Sequence, residues 1–96
     1  MSKAGVDVLA ERNRQVTHKT HLPDIDDHYQ NFELIRAAIA YATSAGDGKH
    51  SARMWWPWNL TTFKPTEPRR DLVKAAALLI AEIDRLDRAA AKGVDQ

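Results

Sequence analysis

The stretch RMWWPWNLTTFKPTEPRR, residues 53–70, holds all three tryptophans of this 96-residue chain, one of its two phenylalanines and four basic residues. Trp55, Trp56, Trp58 and Phe63 offer flat apolar faces. Lys64, Arg69, Arg70 and, one turn further on, Lys74 offer positive charge and N–H donors. Stacking on an aromatic side chain is worth roughly 1–3 kcal/mol per nucleic-acid base, and a guanidinium can grip a phosphate through two parallel hydrogen bonds. Arg69 and Arg70 also fall in the first turn of a predicted helix, where free backbone N–H groups favour an anion. Trp55, Trp56, Trp58, Lys64, Arg69, Arg70 and Lys74 are therefore the candidate ligand-binding residues, and the chemistry is that of a small anion carrying a planar ring. Two other uses of the same residues compete with it. Trp and Phe bury large areas and would fill a small core, and Trp and Arg are favoured at protein-binding hot spots.

Two further groups of side chains carry latent chemistry. Asp26, Asp27 and Glu33, together with Glu82, Asp84 and Asp87, are carboxylates that facing helices could aim at Mg²⁺. Glu33 is a charge on an otherwise apolar segment, but Arg36 stands at the i+3 spacing of a helix ion pair. Asp84 and Asp87 alternate with Arg85 and Arg88, the pattern of an exposed helix face. His18 and His21 form an HxxH, and His28 follows beside Asp26 and Asp27. Histidines and carboxylates together can hold a transition metal. Here Pro23 interrupts the segment and no helix aims both rings, so a polar loop is the expectation. With no cysteine, no Gly-rich phosphate loop, no GxSxG and no HExxH, neither a catalytic nucleophile nor a metal site is assigned.

These residues need a scaffold, and the composition bounds it. Ninety-six residues make one domain with a small core. Hydrophobic residues at 44% and charged residues at 28% are the balance of a globular protein. No apolar run approaches the roughly 20 residues that span a bilayer, and the first residues lack the apolar region of a secretory signal. A cytoplasmic protein is expected. The formal net charge is +1, with a segregation along the chain. Residues 24–50 carry five acidic and two basic side chains, whereas residues 51–74 carry five basic and two acidic. That local excess suits a small anion or an acidic protein surface, and is too small for wrapping duplex DNA.

The periodicity predicts an all-α, three-helix bundle, with one short helical turn added in the connection. The first helix spans about Gly5 to Val16, with Val6, Leu9, Asn13 and Val16 as its inward stripe. A second begins at Asp26 or Asp27 and ends near Ala45, before Gly46; its alanine-rich sequence is apolar on nearly every side. A third runs from a Thr66 cap, through Pro68 in its first turn, to about Lys92. Its stripe is Leu72, Ala75, Ala76, Leu79, Ile80, Ile83, Leu86 and Ala90, and Val73, Ala77, Leu78 and Ala81 widen it beyond what one partner helix covers. A homo-oligomer is the expectation. The connection at about residues 46–65 is long for a bundle and is expected to be functional or to contain a short turn, with Ser51 as its cap.

The ordered segments ERNRQ, DDHYQNFELIRAAIAYA, WWPWNLTTFKP and RRDLVKAAALLIAEIDRLDR resemble a group of small helical proteins encoded by phages and prophages, across about Val8 to Arg88. Glu33 and Leu34 match an "EL", Trp56, Pro57 and Trp58 a "WPW", and Lys64 and Pro65 a "KP". Phe32 replaces the glycine usual before that glutamate, and THKTHLP replaces an "EGWT"-like step. The resemblance implies a non-catalytic accessory protein in the cytoplasm of an infected bacterium, of a class that includes small helical oligomers sequestering nucleotide signals of host defence. A more distant similarity to MazG-like all-α nucleotide pyrophosphohydrolases implies an alternative in which Glu33 and Glu82, with Asp26 or Asp27, hold Mg²⁺. Such enzymes carry an ExxE and an ExxD; this chain has no ExxE, and Asp84 and Asp87 give only a DxxD. The remaining alternative is an inhibitor that binds a host protein through the tryptophan loop.

Overall fold

In the computed structural model, residues 1–17, 32–46 and 48–94 are described. They form an all-α bundle: α1 (Lys3–Thr17), α2 (Glu33–Gly46), the one-turn α3 (Lys49–Ala52), a 3₁₀ turn (Leu60–Thr62) and the long α4 (Pro68–Val94). The expected start of the second helix at Asp26 or Asp27 lies outside the described residues, as do His18, His21 and His28. α2 and α1 both pack on α4, and α3 packs on α2.

α2 matches its sequence pattern most directly. Leu34, Ala37, Ala38, Ala40, Tyr41 and Ser44 are buried on it, and opposite them α4 offers Ala75, Leu78 and Ala81. Alanine on both helices lets the backbones approach but leaves little apolar volume. The connection fills that deficit, because Trp56 and Phe63 join the same cluster and Trp58 packs against it. Just before α2, Phe32 is exposed at φ 60°. That left-handed conformation strains a bulky side chain and suits glycine.

The other two helices turn the large residues of their expected stripes largely outward. On α1 the buried residues are Glu11, Arg12 and Gln15, while Val6, Leu9 and Asn13 are exposed. On α4 the core takes Val73, Ala75, Ala77, Leu78 and Ala81, whereas Leu72, Leu79, Ile83 and Leu86 face solvent. Leu78 is 1% exposed and its neighbour Leu79 46%. The physical reason lies in α2: an alanine-rich partner accommodates the small side of α4, and among the described residues nothing covers the leucine side.

Two local expectations need correction. Ser51 lies inside α3 instead of capping it. Thr66 does not cap α4 through its side chain; α4 begins at Pro68, and the buried Asp71 carboxylate reaches back to accept the Thr66 backbone N–H at 2.9 Å. Asp71 also accepts from the Ser44 hydroxyl at 3.3 Å, joining the start of α4 to the end of α2.

Candidate functional site

The connection is held to α2 by a chain of side-chain interactions. Asn59 caps the 3₁₀ turn, its Oδ1 accepting the Thr61 N–H at 2.9 Å. The buried Trp56 indole N–H points back into this turn and donates to the Asn59 carbonyl and to Thr62 Oγ1, both at 3.1 Å. Its ring stands edge-on to Tyr41 and to Trp58, with centroids at 5.4 and 5.1 Å. Phe63 lies 5.0 Å from both Tyr41 and Trp56. The Lys64 N–H donates to the Tyr41 hydroxyl oxygen at 3.2 Å. Burial pushes the Tyr41 hydroxyl above its usual pKa of 10.0, so it stays protonated near neutrality.

Between this aromatic wall and α1 lies a cavity of about 390 Å³. Its lining comes from α1 (Glu11, Arg14, Gln15), α2 (Tyr41), the connection (Trp56, Trp58, Thr62, Lys64) and α4 (Lys74, Leu78). The inverted burial of α1 now has a cause, since its polar side faces this cavity. Three cations and one carboxylate line it beside three aromatic rings.

The carboxylate does not neutralise the cavity on its own account, because it is already engaged. Glu11 Oε1 and Oε2 accept two bonds from Arg14, at 2.9 and 2.8 Å. Arg70 donates to Oε1 from α4, and Gln15 Nε2 donates to Oε2 at 3.3 Å. Burial alone would raise the Glu11 carboxyl, but the bonds and charges of Arg14 and Arg70 outweigh it and hold the pKa below 4.5. Glu11 thus fixes the direction of the Arg14 guanidinium at the cavity wall.

Lys74 is the other oriented cation. Its ammonium donates to the Lys64 carbonyl at 2.7 Å and lies 5.2 Å from the centre of the Tyr41 ring, a cation–π distance. Burial pulls its pKa below 10.5. The same partial burial strips water from the ammonium, which strengthens the attraction of its charged form for an anion.

Of the seven residues the sequence nominates, Trp56, Trp58, Lys64 and Lys74 line the cavity. Trp55 does not; it is 45% exposed against 9% for Trp56. Arg69 and Arg70 do not either. Arg69 pairs with Asp7 at 2.9 Å, and Arg70 pairs with Glu11, so both clamp α1 onto the start of α4. Glu11, Arg14, Gln15, Tyr41, Thr62 and Leu78 complete the lining without having been nominated. ERNRQ carried the available signal, because positions 11, 14 and 15 share a helix face. Among the described residues, no group of three or more His, Asp or Glu gathers where a metal ion could be held. Glu82 is buried and accepts two bonds from Arg85, at 2.7 and 2.8 Å. Asp26 and Asp27 lie outside the described residues.

Fold and site together define a small all-α protein with an aromatic and cationic cavity at the junction of three helices and a loop. Comparison with protein-family models, curated proteins and solved structures finds no match to the chain. No helix among the described residues is long and apolar enough to cross a membrane.

Proposed function

We propose that the chain is a non-catalytic binding protein for a small anionic ligand with a planar ring, a linear or cyclic nucleotide being the fitting class. One observation carries this reading: Tyr41, Trp56 and Trp58 share a cavity of about 390 Å³ with Arg14, Lys64 and Lys74. That volume falls within the usual range of small-molecule sites, roughly 300–1,000 Å³. In the proposed pose a base or comparable ring packs on Trp58, and phosphate oxygens take hydrogen bonds from Arg14, Lys64 and Lys74. The resemblance to phage-encoded proteins supports a role in the cytoplasm of an infected bacterium, withdrawing a nucleotide signal from host defence. Assembly with copies of itself belongs to the same reading.

Isothermal titration of the folded protein against linear and cyclic nucleotides tests it. Saturable binding to at least one, weakened in Trp58→Ala and in Lys74→Gln, is the expected result. No binding across the panel overturns it. Release of pyrophosphate from a nucleoside triphosphate, lost in EDTA and in Glu33→Gln, would instead support the Mg²⁺-dependent enzyme. A second reading rests on Met54 and Trp55, neighbouring exposed side chains outside the cavity. There a host protein would dock directly, and capture of a bacterial protein lost in Trp55→Ala but kept in Trp58→Ala would favour it.

A further inference from the structure

The outward side of α4 carries an apolar seam. Leu72, Ala76, Leu79, Ile83, Leu86 and Ala90 are spaced four, three, four, three and four residues apart, the heptad spacing that keeps one stripe facing a partner helix. The four large members are each about half exposed, at 46–56%. The seam runs for about 27 Å along the helix. It contains no charged residue, and isolated surface leucines are common whereas a continuous row of this kind marks an interface. The side of α4 that faces its own bundle, with Ala77, Leu78 and Ala81, is a different face. Nothing within the described residues covers the seam.

We propose that the seam binds the same seam of a second copy of this chain, with the two α4 helices antiparallel. Two observations select that occupant and that direction. First, the order of large and small residues is self-complementary when reversed. Antiparallel pairing sets Leu72 against the second copy's Ala90, Ala76 against its Leu86 and Leu79 against its Ile83. Every layer then has at least one large side chain, and each alanine opens a hole for a leucine knob. Parallel pairing would stack alanine on alanine at two of the six layers. Second, the charges flanking the seam on this stretch are Glu82 and Asp87. A parallel pair would place Glu82 beside the copy's Asp87 on both sides, since such flanking positions face one another five residues apart. The antiparallel pair sets Asp87 beside the copy's Val73, leaves one like-charge contact, Glu82 beside the copy's Glu82, where the parallel pair has two, and opposes the helix dipoles favourably.

The chain lacks cysteine, which makes the test direct. The full-length protein is weighed by sedimentation or native mass spectrometry at micromolar concentration, as wild type and as the Leu79→Glu/Ile83→Glu double variant. A wild-type dimer is expected. The double variant keeps its helical circular dichroism, because neither side chain belongs to the core, and self-association weakens by roughly 100-fold or more as the glutamates resist burial. In a second arm, L72C/A90C is oxidised and its disulfides mapped by peptide mass. A link from position 72 of one copy to position 90 of the other is expected; within one chain these positions are too far apart to join. A monomeric wild type, a dimer indifferent to the two glutamates, or links of 72 to 72 and 90 to 90 would each overturn the proposal. So would a monomer that captures a different protein through the seam.

Discussion

The two sides of α4 share one helix and have opposite chemistry. The inward side is built from Ala75, Ala77, Leu78 and Ala81, all buried, with Lys74 at the cavity. The outward side carries most of the helix's large aliphatic mass, in Leu72, Leu79, Ile83 and Leu86, and leaves it in solvent. A helix folding only to satisfy its own bundle would place the large residues inward. The arrangement here keeps the intramolecular core thin, so that Trp56 and Phe63 from the connection can enter it and a cavity remains between α1 and Tyr41. The difference fits the two tasks proposed above, a binding site shaped by the inward side and self-association through the outward side.

Substitutions can break or sharpen this contrast. The largest effect is expected at Trp56→Ala, which empties the aromatic cluster and leaves the 3₁₀ turn without its indole donor. A loss of about 3–5 kcal/mol is comparable to the whole stability of a small domain, and thermal unfolding would show little folded protein. Leu78→Ala comes next, at about 2–5 kcal/mol by chemical denaturation. Its neighbour Leu79→Ala should stay within roughly 0.5 kcal/mol for the monomer. Equal losses at the two positions would mean that the distinction between the sides of α4 is wrong.

Glu11→Gln tests the junction between site and scaffold. It removes the charge that ties Arg14 and Arg70 together, and because both arginines are partly exposed the expected loss is only about 1–2 kcal/mol. Its pH signature is more diagnostic. The folded Glu11 pKa is held below the unfolded value near 4.5, so the unfolded chain binds the proton more readily. The contribution is complete above about pH 5 and is lost as pH falls through the folded pKa. Melting temperature should therefore fall less steeply between pH 5 and pH 3 in Glu11→Gln than in wild type.

Trp58→Ala divides the roles of the tryptophans. Trp58 is only partly buried, so stability should change little, whereas affinity for an aromatic anion should fall by about 1–3 kcal/mol in titration calorimetry. Trp55→Ala should leave both stability and ligand affinity almost unchanged. Anion affinity in the wild type should also decline as pH rises toward the Lys74 pKa, which burial sets below 10.5, because the ammonium loses its proton there.

Much of this was legible in the sequence, and the parts that were not share a cause. The all-α class, a helix starting near Pro68, the apolar character of α2 and the structured nature of the tryptophan segment follow from local pattern: proline position, alanine density and aromatic clustering. Which side of a helix turns inward did not follow. A stripe such as Val6, Leu9, Asn13 and Val16 shows that a helix has an apolar side without showing whether its own bundle or another chain covers it. The same limit applies to Arg69 and Arg70. Their place in a first turn suits an anion, and the anions they meet are Asp7 and Glu11 of α1.

By itself, then, the sequence determined the helices, the residue types available for a site and the excess of apolar surface over what three helices can hide. Tertiary structure decided the rest. Packing of alanine against alanine between α2 and α4 chose the inward sides, because two helices can approach closely only where side chains are small. That choice turned the polar side of α1 toward the cavity, gathered Arg14, Lys74 and Trp58 in its lining, and left the leucines of α4 outside.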